Sequence, residues 1–176
     1  MKYVVKDAKD FELDHIFDCG QCFRWEKQRD NSYIGTAGGK IAKIAMENQD
    51  VHIYNSNEDE YETFWKNYLD MDRDYTTIKG KLIARDDVIK KASDYGYGIR
   101  ILKQDFWETV VSFIISQNNN IPRIKGCIES ICEAFGEYIG EYEGRKYYDI
   151  PTPEKMASLS IDDLAPARLG YRAKYL

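Results

Sequence analysis

Between Ser116 and Arg123 the chain reads Ser-Gln-Asn-Asn-Asn-Ile-Pro-Arg, so an apolar helix must stop at three consecutive amides and a second must begin with an arginine in its first turn. Asparagine side chains compete with the helical hydrogen-bond ladder and favour caps and turns, and Pro122 is tolerated only near a helix start. One asparagine would cap the helix. Three beside an arginine offer donors and acceptors suited to base edges, with a guanidinium for paired acceptors. A polar loop with redundant caps uses the same residues equally well.

The segments on either side of this corner predict helices. Asp105 with Glu108 forms a capping-box pattern, Ser160 with Asp163 a weaker one, and Thr152-Pro153 an N-cap followed by a first-turn proline, so three helix starts are marked. Phe106, Val110, Phe113 and Ile114 are expected to line the core face of the first helix. Ile124, Ile128, Ile131 and Phe135 are expected to line that of the second, which Gly136 can terminate.

The first half reads differently. Cys22 to Glu26, Tyr33 to Thr36, Lys40 to Met46 and Val51 to Tyr54 are short strands, Gly38-Gly39 is a hairpin turn, and an antiparallel sheet is the economical assembly. Phe23 and Trp25 are expected in its core. From Glu58 the spacing turns helical through Tyr61, Phe64, Trp65, Tyr68 and Leu69, with further helices near Tyr75 to Ala84 and Asp86 to Tyr95. Gly96-Tyr97-Gly98 then breaks the chain ahead of an apolar strand or turn at Ile99 to Leu102, and sets a boundary between residues 1–97 and 98–176. The expected fold is α+β: an N-terminal antiparallel sheet with flanking helices, followed by a partial all-α helical domain.

At 43% hydrophobic and 14% aromatic residues the chain carries too much apolar surface for a disordered one. It has no signal-peptide pattern and no apolar run that would span a bilayer, so an intracellular protein is expected, cytoplasmic and nucleoid-associated if bacterial. Its four cysteines read as reduced thiols. Cys19-Gly-Gln-Cys22 has ligand-like spacing, but no second such pair completes a zinc set, and neither metal nor cofactor is expected. The net charge of −5 opposes nucleic-acid binding taken alone. Its distribution softens this: residues 1 to 95 carry 15 basic and 19 acidic side chains, the rest 10 and 11. Arg123, Lys125, Arg168, Arg172 and Lys174 lie beside the corner and the C-terminal segment, so a one-sided basic face is one reading and a solvated mixture the other.

Three segments, in order, resemble the 8-oxoguanine DNA glycosylases of the helix-hairpin-helix superfamily: Cys19-Gly-Gln-Cys-Phe-Arg-Trp25, the run from Phe113 to Ile124, and Leu169-Gly-Tyr-Arg-Ala-Lys-Tyr175. That resemblance implies base excision of 8-oxoguanine opposite cytosine in double-stranded DNA by a monomer. It also implies that the Gly20 carbonyl accepts the N7 proton that distinguishes 8-oxoguanine from guanine. On the residues alone, a bulge or turn explains Gly20 as well. Asn118, Arg123 and Arg172 are implied to read the widowed cytosine, and Tyr171 to be the wedge that fills the gap left by an extruded nucleotide. Without the resemblance, Tyr171 is an ordinary packed ring.

The family's lysine nucleophile and its supporting aspartate belong to a later segment, in and after a Gly-Val-Gly-like hairpin that also grips the DNA backbone. No lysine here has that context. The chain is therefore expected to be the front part of a glycosylase, with no catalytic residue of its own and no excision activity alone. A non-catalytic DNA-binding or interaction module is the rival reading, and an alkylbase glycosylase of the same plan a weaker third.

Overall fold

A computed structural model describes residues 1–176. In chain order the elements are β1 (Lys2–Val5), α1 (Leu13–Phe17), β2 (Trp25–Lys27), β3 (Tyr33–Ala37), β4 (Lys40–Glu47) and β5 (Asp50–Tyr54). There follow α2 (Glu58–Glu60), a π-helical turn (Tyr61–Trp65), α3 (Lys66–Tyr68), α4 (Tyr75–Ile83) and α5 (Asp87–Tyr95). The remainder holds α6 (Phe106–Ser116), α7 (Ile121–Phe135), the hairpin β6 (Tyr138–Tyr142) and β7 (Arg145–Tyr148), α8 (Pro153–Ala157), and 3₁₀ turns at Ala165–Ala167 and Gly170–Tyr175.

The expected α+β fold is observed, with a five-stranded sheet in the order β1-β5-β4-β3-β2. Gly38 and Gly39 both have positive φ, 54° and 71°, the conformation that a two-residue hairpin matching the sheet twist demands. Strand β2 starts later than expected, at Trp25, whose ring is fully buried. Strand β1 went unmarked: four residues carry little periodicity, and it pairs antiparallel with β5 (Tyr3 opposite Ile53) some fifty positions away. No helix is long and apolar enough to cross a membrane.

The chain forms two compact units, one of Met1–Gln21, Lys27–Ile34 and Ala42–Lys103, the other of Cys22–Glu26, Gly35–Ile41 and Gln104–Leu176. In the first, Ile16, Phe17, Tyr33, Ile44, Ile53, Trp65 and Leu69 are fully buried. The expected strand or turn at Ile99 to Leu102 is neither: it is irregular, with Ile99 and Ile101 exposed and Leu102 buried. In the second unit, Val111 and Ile115 of α6 pack with Ile124, Cys127, Ile128, Ile131 and Cys132 of α7 and with Met156, Leu164, Ala167 and Leu169. The four cysteines are free thiols, and burial pushes that of Cys132 up to about 12.

The expected core face of α6 needs correction. Phe106 and Phe113 are 81% and 66% exposed, and the helix buries Glu108, Val111, Ser112 and Ile115 instead. Apolar residues occur on nearly every side of α6, so periodicity selects no face and contact with α7 selects one. On α7, Ile124, Ile128 and Ile131 are buried as expected, Phe135 is half-buried, and Gly136 is the C-cap. Ser160 and Asp163 do close a reciprocal box, but it opens onto turns rather than a helix. The β6–β7 hairpin among these helices was not anticipated.

Candidate nucleic-acid interface

At the end of α6 the three asparagines divide their work. Asn119 donates from Nδ2 to the Ile115 carbonyl (3.0 Å) and so closes α6, while its Oδ1 accepts from the Asn120 amide (3.0 Å). Asn120 is the N-cap of α7, its Oδ1 accepting from the amide of Arg123 (3.1 Å), with Pro122 in the first turn. Asn118 takes neither cap. It lies exposed at φ 49°, a left-handed conformation that asparagine tolerates better than most residues. The redundant-cap reading therefore accounts for two amides and leaves one presented to solvent.

What holds this corner comes from the C-terminal segment. Arg172 is only 4% exposed and lies on the 3₁₀ turn that begins at Gly170, itself at φ 61°. Its Nε donates to the Gln117 carbonyl (2.8 Å), Nη2 to the carbonyls of Asn118 (2.7 Å) and Gln117, and Nη1 to that of Leu169 (3.2 Å). The Gln117 and Asn118 carbonyls sit where α6 ends and its own amides no longer reach, so a planar five-donor fork suits them better than an ammonium would. Tyr171 also donates its hydroxyl to Gln117 (3.2 Å), lies 4.6 Å from the Arg172 guanidinium across its ring, and remains 54% exposed. Arg123 is exposed and donates from Nη2 to the Arg168 carbonyl (3.1 Å). Lys125, expected on the same basic face, instead donates to the Trp25 carbonyl (2.6 Å).

Gly20 belongs to the first unit. Its φ of +86° is strained for any side chain, and a Cβ there would meet nothing within 4 Å, so conformation requires the glycine while its surroundings stay open. The neighbouring Gln21 is the strut. Its amide donates to the carbonyls of Ile16 (2.9 Å) and Arg100 (2.8 Å) and accepts from the amide of Leu102 (3.0 Å). Sequence reasoning missed Gln21, although a long amide beside a positive-φ glycine is the signal that could have found it.

The 8-oxoguanine DNA glycosylase N-terminal domain model matches residues 3–110. The chain belongs to this glycosylase family. It is 32% identical over 179 aligned residues to the N-glycosylase/DNA lyase of Saccharomyces cerevisiae, covering 93% of this chain and 47% of that protein. The apo crystal structure of the 8-oxoguanine glycosylase/lyase of Clostridium acetobutylicum superposes with a TM-score of 0.94 at 46% identity, covering 99% of this chain and 60% of that one. The same enzyme in complex with double-stranded DNA containing cytosine opposite 8-oxoguanine superposes at 0.91, again at 46% identity, covering 99% and 62%. The chain spans about half the length of the curated relatives it matches.

One buried charge cluster escaped the sequence reading. Asp105 caps α6 by accepting from the Glu108 amide (2.9 Å), but the Glu108 side chain does not return the bond. It turns inward to Arg24, 3.9 Å away, and burial holds its carboxyl up at about 7 against the pull of that guanidinium. Arg24 also meets Asp149 (3.3 Å) and the Tyr148 carbonyl, and its Nε is buried without a partner.

Proposed function

We propose that this chain is the N-terminal part of a DNA glycosylase and lyase that excises 8-oxoguanine opposite cytosine in base excision repair. An enzyme acting on a base within a duplex must extrude the nucleotide and brace the gap. The observation that carries the reading is the α6–α7 corner, where Arg172 holds an exposed amide (Asn118) and a half-exposed ring (Tyr171) and the first turn of α7 carries an exposed guanidinium (Arg123) tied to the Arg168 carbonyl. Asn118 and Arg123 are the readers of the widowed cytosine, since arginine and asparagine offer the paired donors and acceptors that base edges require. Tyr171 is the wedge, because an exposed aromatic face can replace lost stacking. Arg172 holds the corner, and shares in reading cytosine by exchanging one backbone carbonyl for a base acceptor.

Gly20, on the lesion side, offers a backbone carbonyl to the N7 proton of 8-oxoguanine. Residues 1–97 form the lesion-side α+β domain, and residues 98–176 the opening of the helical catalytic domain. The covalent chemistry needs a lysine of depressed pKa poised at the sugar C1′, and we assign it to no lysine of these 176 residues. The protein acts inside the cell on double-stranded DNA.

The test uses the protein expressed from its own coding sequence, on duplexes with 8-oxoguanine opposite cytosine, adenine or thymine. Arg123→Ala should relax the preference for cytosine, each lost bidentate contact removing about 1–3 kcal/mol of discrimination. Unchanged excision ratios would remove the reader assignment. Borohydride trapping of an adduct through any lysine between Met1 and Leu176 would show that the nucleophile lies within this chain and defeat the division of labour.

A further inference from the structure

Beside the corner runs a recess of about 560 Å³, walled on one side by Arg123, Gly126 and Ser130 of α7 and on the other by Pro166, Ala167 and Arg168. Its lining carries two arginines and no carboxylate. That is unusual in a chain of net charge −5. A recess against β1 and the start of α4 is lined by Asp7, Asp10, Asp72 and Asp74 as well as by cations, and another near Phe11 includes Asp10 and Glu12. Of the acids near it in sequence, Glu129 binds Arg145 (2.8 Å) and Asp163 accepts from Ser160 (2.7 Å), while Glu133, one turn beyond Ser130 on α7, is exposed and does not line the recess.

The backbone at Arg168 adds a second, independent observation. Its φ is 52°, in the left-handed region where a Cβ is crowded and where glycine is the undemanding residue. The conformation closes the 3₁₀ turn Ala165–Ala167, with the Arg168 amide donating to Ala165 (3.0 Å). A glycine would close the same turn without strain, so the arginine is explained by its side chain rather than by the turn. Arg123 ties the two walls together through its bond to the Arg168 carbonyl. Across the floor, a Cβ built at Gly126 would meet nothing within 4 Å, so this side of α7 is open to an approaching group.

We propose that this recess binds a backbone phosphate of duplex DNA, with Arg168 as its principal cation and Arg123 shared between the phosphate and the widowed base. The assignment rests on the glycosylase reading, and extends it from base recognition to the phosphate that sets the protein's register on the duplex. Phosphate contacts fix position and orientation and carry no sequence information, so a contact one side chain away from the base reader would seat that reader without altering what it reads. In an acidic chain, affinity for a polyanion has to come from such local clusters.

The experiment measures affinity for an undamaged duplex as a function of salt, by fluorescence anisotropy, on the protein expressed from its own coding sequence. Arg168→Gly should lower the magnitude of the log–log salt slope by about 0.9, the counterions released by one phosphate contact, and weaken binding uniformly across sequences. Its urea midpoint should be equal to or above that of the parent, because glycine adopts this φ freely. Arg168→Lys, which keeps a cation, should retain the parent slope. A parent-like slope in a folded Arg168→Gly protein overturns the phosphate assignment and leaves the glycosylase reading intact. That reading fails separately, if the parent does not excise 8-oxoguanine from a lesion duplex.

Discussion

Each unit contains an arginine buried against backbone carbonyls and stacked on a tyrosine. In the first, Arg100 donates to the carbonyls of Lys9 (2.9 Å), Asp10 (3.1 Å) and Asp70 (2.7 Å), with its guanidinium 4.7 Å from the Tyr75 ring centre. In the second, Arg172 donates to those of Gln117, Asn118 and Leu169 and lies 4.6 Å from the ring centre of Tyr171. The device is the same and the surroundings are opposite. Tyr75 is 8% exposed, and its hydroxyl is bound between the Asp70 carboxylate (2.8 Å) and the Ile101 amide (2.8 Å). Tyr171 is 54% exposed, and its hydroxyl makes one bond to a carbonyl. A guanidinium clamp thus serves structure where its ring is covered. Where the ring is left open it serves presentation, and Tyr171 and Asn118 are what it presents.

The comparison is most directly broken by removing each clamp. Arg100→Ala strands three carbonyls and removes a nearby charge from the Asp10 and Asp70 carboxylates, which keep Lys79 and Arg73, and should cost about 4 kcal/mol. Arg172→Ala strands carbonyls at a more open corner and should cost about 2 kcal/mol. Urea denaturation of both variants checks the order. Equal losses would mean that the corner is as much a part of the core as the Arg100 site, and that presentation is the wrong word for it.

Arg24 sharpens the contrast, because it is a buried arginine facing a buried carboxyl, Glu108, whose pKa folding raises. Burial raises the folded-state pKa of Glu108 to about 7 from its ordinary 4.5. Between those values the unfolded chain has released the proton and the folded one still holds it, so the folded state is favoured below pH 4.5 and loses that advantage as pH rises towards 7. The loss is at most about 3 kcal/mol and levels off above pH 7. Glu108→Gln should flatten this part of the profile in urea titrations between pH 5 and 8. The Arg172 clamp holds carbonyls, which do not titrate, and should contribute no slope there. A slope that persists in Glu108→Gln and vanishes in Arg172→Ala would reverse the assignment.

The smallest effects are expected at the rings. Tyr75→Phe leaves Asp70 and the Ile101 amide short of a partner and should cost about 1–2 kcal/mol. Tyr171→Phe removes one bond at the surface and should stay within about 0.5 kcal/mol. Thermal melts that ranked them the other way would put Tyr171 in the core, where the sequence without the family resemblance leaves it.

Much of the local structure around the candidate site was legible in the sequence because the forces that shape it are local. A cap satisfies amides within a turn of itself, so Asp105 and Thr152 could be read as N-caps from their neighbours, and both accept the bond that marks one. Gly38-Gly39 is legible for the same reason, as a two-residue turn constrains its own φ. The family resemblance drew the corner, the Gly20 loop and the Tyr171 segment into one functional reading, and the family match bears out the membership. What local rules could not decide was which of three adjacent asparagines would stay unused. That depends on Arg172, more than fifty residues away, taking the Asn118 carbonyl.

Tertiary structure alone decided the remaining questions. The apolar residues of α6 surround the helix, so only contact with α7 determined that Val111 and Ile115 are core and Phe106 and Phe113 are not. Glu108 reads as half of a capping box until Arg24 appears beneath it, and Lys125 as a surface cation until it meets the Trp25 carbonyl. Strand β1 exists because β5 offers it a free edge, which no four-residue pattern can announce. Residue type and spacing settle what a segment can do on its own, through backbone conformation and hydrogen bonds closed within a few residues. Which face is buried, which charge is paired and which ring is left open depend on partners brought together by folding, and here those partners separate the clamp that stabilises from the clamp that presents.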